Sequence, residues 1–246
     1  MPKPLTDSSR NRTLVIAIAA AIAIAAALVA GSYLTRDKND ESAPAETTST
    51  GTTATTNPAV AVVAGIPQAG MVLGNPKATV RLLQFEDLQC PVCKSYTDDA
   101  LPAIIDEYVR PGLVKIDFRG LTFLGADSLK ALQIAVAASF QNKLWEVVGL
   151  FYENQGAENS GWVTDELIDE ILADVPGLDA EKVKVDAKSA AVTKQIDAAN
   201  KEATALKVPG TPWFYIGIGL NPPYEIQPTS LEPSAFRPVL DDALKG

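Results

Sequence analysis

The chain holds only two cysteines, and they stand three residues apart in Cys90-Pro91-Val92-Cys93, where a strand-like run gives way to a helix-like one. No other feature constrains the fold as much. Upstream, Ala78 to Phe85 (ATVRLLQF) is short and apolar-rich, as a buried strand would be. Downstream, Cys90 to about Tyr108 reads as a helix with Pro91 at its first helical position, where a missing N–H costs nothing. Cys90 therefore falls at a helix N-terminus, where the macrodipole and unpaired N–H groups favour a thiolate and draw the pKa below the free thiol's ~8.5. Residues i and i+3 of a first turn stand ~5–6 Å apart. That spacing suits a disulfide, so Cys90 can attack while Cys93 resolves.

Two other uses of the pair remain open on this reading. A zinc half-site would need two more ligands from carboxylates or a second chain, because the sequence has no histidine and no further cysteine. A purely structural bridge would close a very small loop and so constrain the unfolded chain little. No metal or other cofactor is expected.

The missing histidine also removes every Ser-His-Asp and Cys-His nucleophile pair. A formal net charge of −9 makes the chain a poor binder of phosphate backbones, and nucleic acid is not an expected partner. At 246 residues the chain has room for one compact domain and an appendage.

The appendage is N-terminal. From Leu14 to Gly31 the sequence LVIAIAAAIAIAAALVAG carries no polar side chain, and Ser32 to Leu34 extend it to the ~20 residues a membrane-crossing helix needs. Lys3, Arg10 and Arg12 precede it, and Arg36 and Lys38 follow. This lean in Lys/Arg predicts a cytoplasmic residue 1–13 segment, a single-pass anchor over 14–34 and a domain outside the cytoplasm. The competing reading is a cleaved signal peptide, with Ala25-Ala26-Ala27 as its small-residue site. Residues 35–59 contain no large apolar side chain and read as a disordered linker.

Residues 60–246 read as the exported domain. Val114 to Arg119 (VKIDFR) and Trp213 to Gly219 (WFYIGIG) are further strand-like runs, and Tyr224 to Gln227 is placed to pair back on the latter as a hairpin. Between about 127 and 206 only helical stripes appear. Leu129, Leu132, Val136 and Phe140 form one, Leu144, Val147, Val148 and Phe151 another, and Leu167, Ile168, Ile171 and Leu172 a third. Thr164 and Asp179 are placed to cap helices. Phe236, Val239, Leu240, Ala243 and Leu244 line a closing helix that contains Pro238. Strand, helix, strand, several helices, hairpin and helix make an α/β sheet with an inserted helical subdomain.

Three stretches, GNPKATVRLLQFEDLQCPVC, SLKALQIAVAASFQNKLWEVVGLFYENQ and LKVPGTPWFYIG, resemble the bacterial DsbA-like thioredoxin family over about Val72 to Gly246. The resemblance implies a thioredoxin fold interrupted by a helical subdomain, with Cys90 forming mixed disulfides and Cys93 resolving them. It further implies that Pro212, preceded by Thr211, is a cis-proline packed against the disulfide and offering backbone groups to a bound peptide. Two departures stand out. Where such proteins carry a buried carboxylate six residues before the first cysteine, this chain has Gln84. Side chains alternate along a strand, so Glu86 faces the same way and is the candidate substitute, against the alternative of an edge-exposed Glu86 with no role. Where strongly oxidising members carry histidine, the pair between the cysteines here is Pro91-Val92, and valine offers the thiolate neither charge nor hydrogen bond. The expected potential lies between thioredoxin's ~−270 mV and DsbA's ~−120 mV.

The function expected is an extracytoplasmic thiol–disulfide oxidoreductase that forms disulfides in exported proteins. Its partners would be unfolded exported proteins bearing cysteines and a quinone-linked membrane reoxidant or a reductant. An apolar groove around Pro91, Val92, Trp213 and Phe214 is the expected docking surface. The alternatives are an envelope reductase or isomerase, and a non-catalytic binding or chaperone module.

Overall fold

The computed structural model describes residues 57–246. The expected cytoplasmic segment, the anchor over 14–34 and most of the expected linker lie outside the described residues, among which no helix is long and apolar enough to cross a membrane. The first described element begins inside the range expected for the linker. Helix α1 (Pro58–Val62) starts there because Asn57 accepts a hydrogen bond from the Ala59 N–H and Pro58 occupies the first turn, two helix-starting signals at the end of a polar stretch.

Among the described residues the strands form one sheet: β1 (Gln68–Ala69), β2 (Val72–Leu73), β3 (Val80–Glu86), β4 (Val114–Gly120), β5 (Trp213–Ile218) and β6 (Tyr224–Ile226), in the order β1-β2-β4-β3-β5-β6. Central β3 runs parallel to β4 and antiparallel to β5, while β6 pairs antiparallel with β5 as expected of the hairpin. Because β3 is covered on both faces, six of its seven residues are buried, Gln84 and Glu86 included. The β1–β2 hairpin extends the sheet beyond β4. Its strands are two residues long, too short for an alternation to be read from sequence.

The helix expected from Cys90 to Tyr108 is instead broken. Helix α2 (Pro91–Asp99) ends at Ala100, α3 (Leu101–Ile104) follows, and a π-turn spans Ile105–Val109. Pro102 accounts for the break, since it lacks an N–H and its ring crowds the carbonyl four residues back.

The region between β4 and β5 is helical, as expected: α4 (Ala126–Ser139), α5 (Leu144–Glu153), α6 (Asp165–Ala173), α7 (Ala180–Asp186) and α8 (Ala190–Leu206). Thr164 and Asp179 cap α6 and α7 through the N–H groups of Leu167 and Lys182. The stripe expected along α4 is half corrected. Leu132 and Val136 are buried, but Leu129 and Phe140 are exposed. Alanines 131, 135 and 138 and Ile134 face inward in their place, because a helix seated between α5 and α8 needs small side chains for close approach. Helix α9 (Pro233–Ala243) closes the fold, with Phe236, Leu240 and Ala243 buried and Leu244 left at the surface.

Candidate active site

Strand β3 delivers the site. Its last residue, Glu86, is followed by a three-residue connection into Cys90, which is the N-cap of α2 with Pro91 in the first turn. That connection is fixed by a buried polar network. Asp87 accepts from the Gln89 N–H (2.9 Å), the Ser128 hydroxyl (2.6 Å) and the Leu124 N–H (3.0 Å). The Gln89 amide donates to Ser128 (2.9 Å) and accepts from the Asn159 N–H (2.7 Å), and the Gln155 amide donates to the carbonyls of Leu88 (2.8 Å) and Cys90 (3.2 Å). The helical insertion thus grips the loop carrying the first cysteine. Sequence reasoning found none of Asp87, Gln89, Ser128, Gln155 or Asn159, because nothing in their spacing reveals partners far away in the chain.

Both cysteines are free thiols, and their surroundings differ. Cys90 keeps a 6 % exposed edge beside exposed Pro91 and Val92, while Cys93 is wholly buried. The Cys90 pKa falls to about 6, chiefly because the Cys93 side chain hydrogen-bonds to its sulfur. Partial burial opposes the fall, and the backbone N–H groups of Cys93 and Val92 and a contact with Thr211 add to it. The Cys93 thiol moves the other way, pushed up by burial first and then by Cys90 and the charge of Glu86. At neutral pH the pair is therefore one thiolate and one thiol.

On the other side of Cys90 lies the start of β5. The Thr211–Pro212 peptide bond is cis, and the Cys90 Sγ is 3.4 Å from the Thr211 carbonyl oxygen, to which its thiol form donates. Val92, Pro209, Thr211, Pro212, Trp213 and Leu231 line a shallow apolar depression beside the sulfur. Phe214, expected on this surface, is not part of it. It is 3 % exposed and stacks in the core against Tyr96 (4.8 Å between ring centres) and Phe236 (5.1 Å), because its neighbour Trp213 already occupies the outward-facing register of the strand.

Gln84 and Glu86 both lie in the interior, so the edge-exposed alternative for Glu86 is set aside. Gln84 accepts from the Tyr96 hydroxyl (2.9 Å). Glu86 accepts from the Tyr152 hydroxyl (2.6 Å) through Oε2, while Oε1 has no partner among the described residues. Burial lifts the Glu86 pKa to about 8; the Tyr152 hydrogen bond holds it down and Cys90's charge adds to the rise. Tyr152 was within reach of sequence reasoning, for it lies four and eight residues beyond Val148 and Leu144 on their stripe. A phenol on a core-facing stripe must find a partner.

The comparisons with known proteins agree with this geometry. A family model described as Thioredoxin matches residues 67–219. The probable disulfide bond formation protein D of Bacillus cereus is 30 % identical over 157 residues, covering 62 % of this chain and 73 % of that protein. The crystal structure of oxidised BdbD from Bacillus subtilis superposes with a TM-score of 0.63 at 22 % identity, covering 74 % of this chain and 98 % of that one. Chlamydia trachomatis DsbA gives 0.60 at 17 % identity, covering 70 % and 90 %.

Proposed function

Because this chain belongs to the DsbA-like thioredoxin-fold family, and is accordingly a thiol–disulfide oxidoreductase, we propose that it works outside the cytoplasm, donating its Cys90–Cys93 disulfide to exported proteins. A substrate thiolate attacks the Cys90 sulfur; the Cys90–Cys93 bond breaks and its electron pair passes to Cys93, which takes up a proton. A second substrate thiolate then attacks the substrate sulfur of the mixed disulfide and expels the Cys90 thiolate. The substrate loses two electrons and the enzyme gains them. A quinone-linked membrane partner that accepts those electrons would restore the disulfide.

The observation that carries this reading is the split between the two thiols. With its pKa near 6, Cys90 is a good leaving group at pH 7, so release of an oxidised substrate is favoured. Cys93, pushed up by burial, cannot leave as a free anion. Glu86, neutral below about pH 8 and buried beside the pair, supplies the proton that Cys93 needs. The depression lined by Val92, Thr211, Pro212 and Trp213 receives the unfolded segment next to the substrate cysteine, with the Thr211 backbone offered to its main chain.

The apolar run Leu14–Gly31 and the preceding Lys3, Arg10 and Arg12 support an uncleaved single-pass anchor with the catalytic domain outside the cytoplasm. Protease added to intact cells should then digest the domain while the N-terminal residues stay with the membrane. Direction of electron flow is tested by equilibrating the Cys90–Cys93 couple with glutathione buffers. A potential above about −200 mV supports net donation, and one near thioredoxin's overturns it in favour of a reductase. In cells, Cys93→Ala should trap substrates on Cys90 as mixed disulfides. A variant that traps nothing would point to the binding-module alternative.

A further inference from the structure

The proton that Cys93 takes up must come from a defined atom, and the interior of the site selects one. Glu86 is wholly buried, and its two oxygens are not equivalent. Oε2 accepts a 2.6 Å hydrogen bond from the Tyr152 hydroxyl, whereas Oε1 is buried with no partner among the described residues. Tyr152 is itself wholly buried and comes from α5, an element of the insertion rather than of the sheet. Its hydroxyl also lies 3.3 Å from the Asp87 carbonyl, and that carbonyl accepts the Cys90 N–H at 2.9 Å. One phenol therefore touches both the carboxyl and the loop that sets the first cysteine.

We propose that Tyr152 is a positioning residue of thiol–disulfide exchange: by donating to Glu86 Oε2 it places the acidic proton of the carboxyl on Oε1, the oxygen without a partner among the described residues, from which one bridging water relays it to the Cys93 sulfur. The inference rests on Glu86 as the proton source in the exchange proposed above. When the Cys90–Cys93 bond breaks and the electron pair arrives on Cys93, the Oε1–H proton passes to the bridging water, that water gives one of its own protons to sulfur, and Glu86 is left a carboxylate. Tyr152 then stabilises that anion through a charge-assisted hydrogen bond. Solvent reprotonates Glu86 before the next turnover. The phenol gives up no proton in the cycle, since burial holds its pKa far above the ordinary value of 10.

The other groups around the carboxyl do not compete for this role. Tyr96 donates to Gln84 rather than to Glu86, and Asp87 is occupied by Gln89, Ser128 and Leu124. Among the described residues no lysine or arginine pairs with Glu86. The phenol is accordingly what stabilises the carboxylate once it forms.

The opposite arrangement, in which the Glu86 Oε2–H donates to Tyr152 and the phenol donates to the Asp87 carbonyl, predicts the reverse effect and gives the test its sign. The experiment is Tyr152→Phe in the full chain, with the protonated carboxyl band of Glu86 followed by infrared difference spectroscopy against pH and assigned by its loss in Glu86→Gln. Removing a donor to the carboxylate should raise the Glu86 midpoint by about one pH unit, and carry the alkaline limb of the exchange rate upward with it. A midpoint that falls or stays put overturns the proposal. Mixed-disulfide trapping by Cys93→Ala, with and without Tyr152→Phe, is the control for the underlying reading. If Cys93→Ala alone traps nothing, the exchange reading fails; if it traps and the midpoint does not rise, only the role of Tyr152 fails. Should Tyr152→Phe not fold, Glu86→Asp retains the acid but withdraws it from the phenol by one methylene. Its midpoint should rise relative to Glu86, and a lower one counts against the proposal.

Discussion

Cys90 and Cys93 are one helical turn apart, and the molecule treats the two ends of that turn as different solvents. The Cys90 end meets the rim formed by Val92, Thr211, Pro212 and Trp213, with N–H groups converging on the sulfur. The Cys93 end meets Glu86 and Tyr96, whose ring packs against Phe214 and Phe236. The same functional group is consequently an anion at one end, its pKa near 6, and a neutral thiol at the other. The difference teaches that three residues of sequence suffice to separate nucleophile from resolving thiol, provided that tertiary structure supplies the two environments.

The most severe way to break this contrast is Cys90→Ser, which should abolish exchange with a disulfide-bearing peptide entirely, while in Cys93→Ser the Cys90 thiolate attacks that disulfide once, expels one peptide thiolate and stays in a stable mixed disulfide, read by mass spectrometry. Next, Phe214→Ala removes a ring buried against Tyr96 and Phe236 and should cost about 3–5 kcal/mol in urea unfolding. Trp213→Ala, on the rim, should chiefly raise the KM for an unfolded peptide. An unfolding curve for Phe214→Ala that overlays the wild type would contradict the assignment of Phe214 to the interior.

Glu86→Gln sharpens the contrast from the inside. Without its acid the exchange rate should fall about 10²-fold. The variant should also change how stability responds to pH. In the folded reduced protein the Glu86 pKa lies near 8, against 4.5 ordinarily, so folding binds a proton between those values. The stability from a neutral Glu86 is fully present below about pH 4.5 and is lost as pH rises through about 8. Urea midpoints at pH 6 and pH 9 should fall further for the wild type than for Glu86→Gln. Cys90 carries the opposite sign: its lowered pKa contributes stability above about pH 9 that is lost as pH falls through about 6.

The smallest effect tests a place remote from both ends. Asp179→Ala deletes the cap of α7 and should cost about 1 kcal/mol, leaving the alkylation midpoint of Cys90 where it was. A shift in that midpoint would mean that the two environments extend into the distal insertion.

Much of the fold was legible because local rules decide it. The β3–α2 junction, the caps at Thr164 and Asp179, the hairpin after Gly219 and the stripe along α5 all follow from patterns within a few residues of one another. Legibility failed where packing overrode pattern. Leu129 and Phe140 had the periodicity of core residues, yet α4 turns its alanines inward. Phe214 looked like rim because it adjoins Trp213, but successive residues of a strand face opposite ways. Gln84 and Glu86 were read correctly as sharing a face, while the burial of that face depended on helices far away in the chain.

By itself, the sequence determined that chemistry here centres on a single Cys-Pro-Val-Cys pair at a helix N-terminus, without histidine, in an α/β chain with a helical insertion. Those are matters of residue identity and short-range spacing, and no folding is needed to state them. Tertiary structure alone decided that the Cys93 thiol is buried and pushed up, that Glu86 is an acid with a pKa near 8, and that Tyr152, 66 residues along the chain, touches it. Ionisation depends on dielectric and on the few groups within reach, and which groups come within reach is set by the packing of the insertion on the sheet.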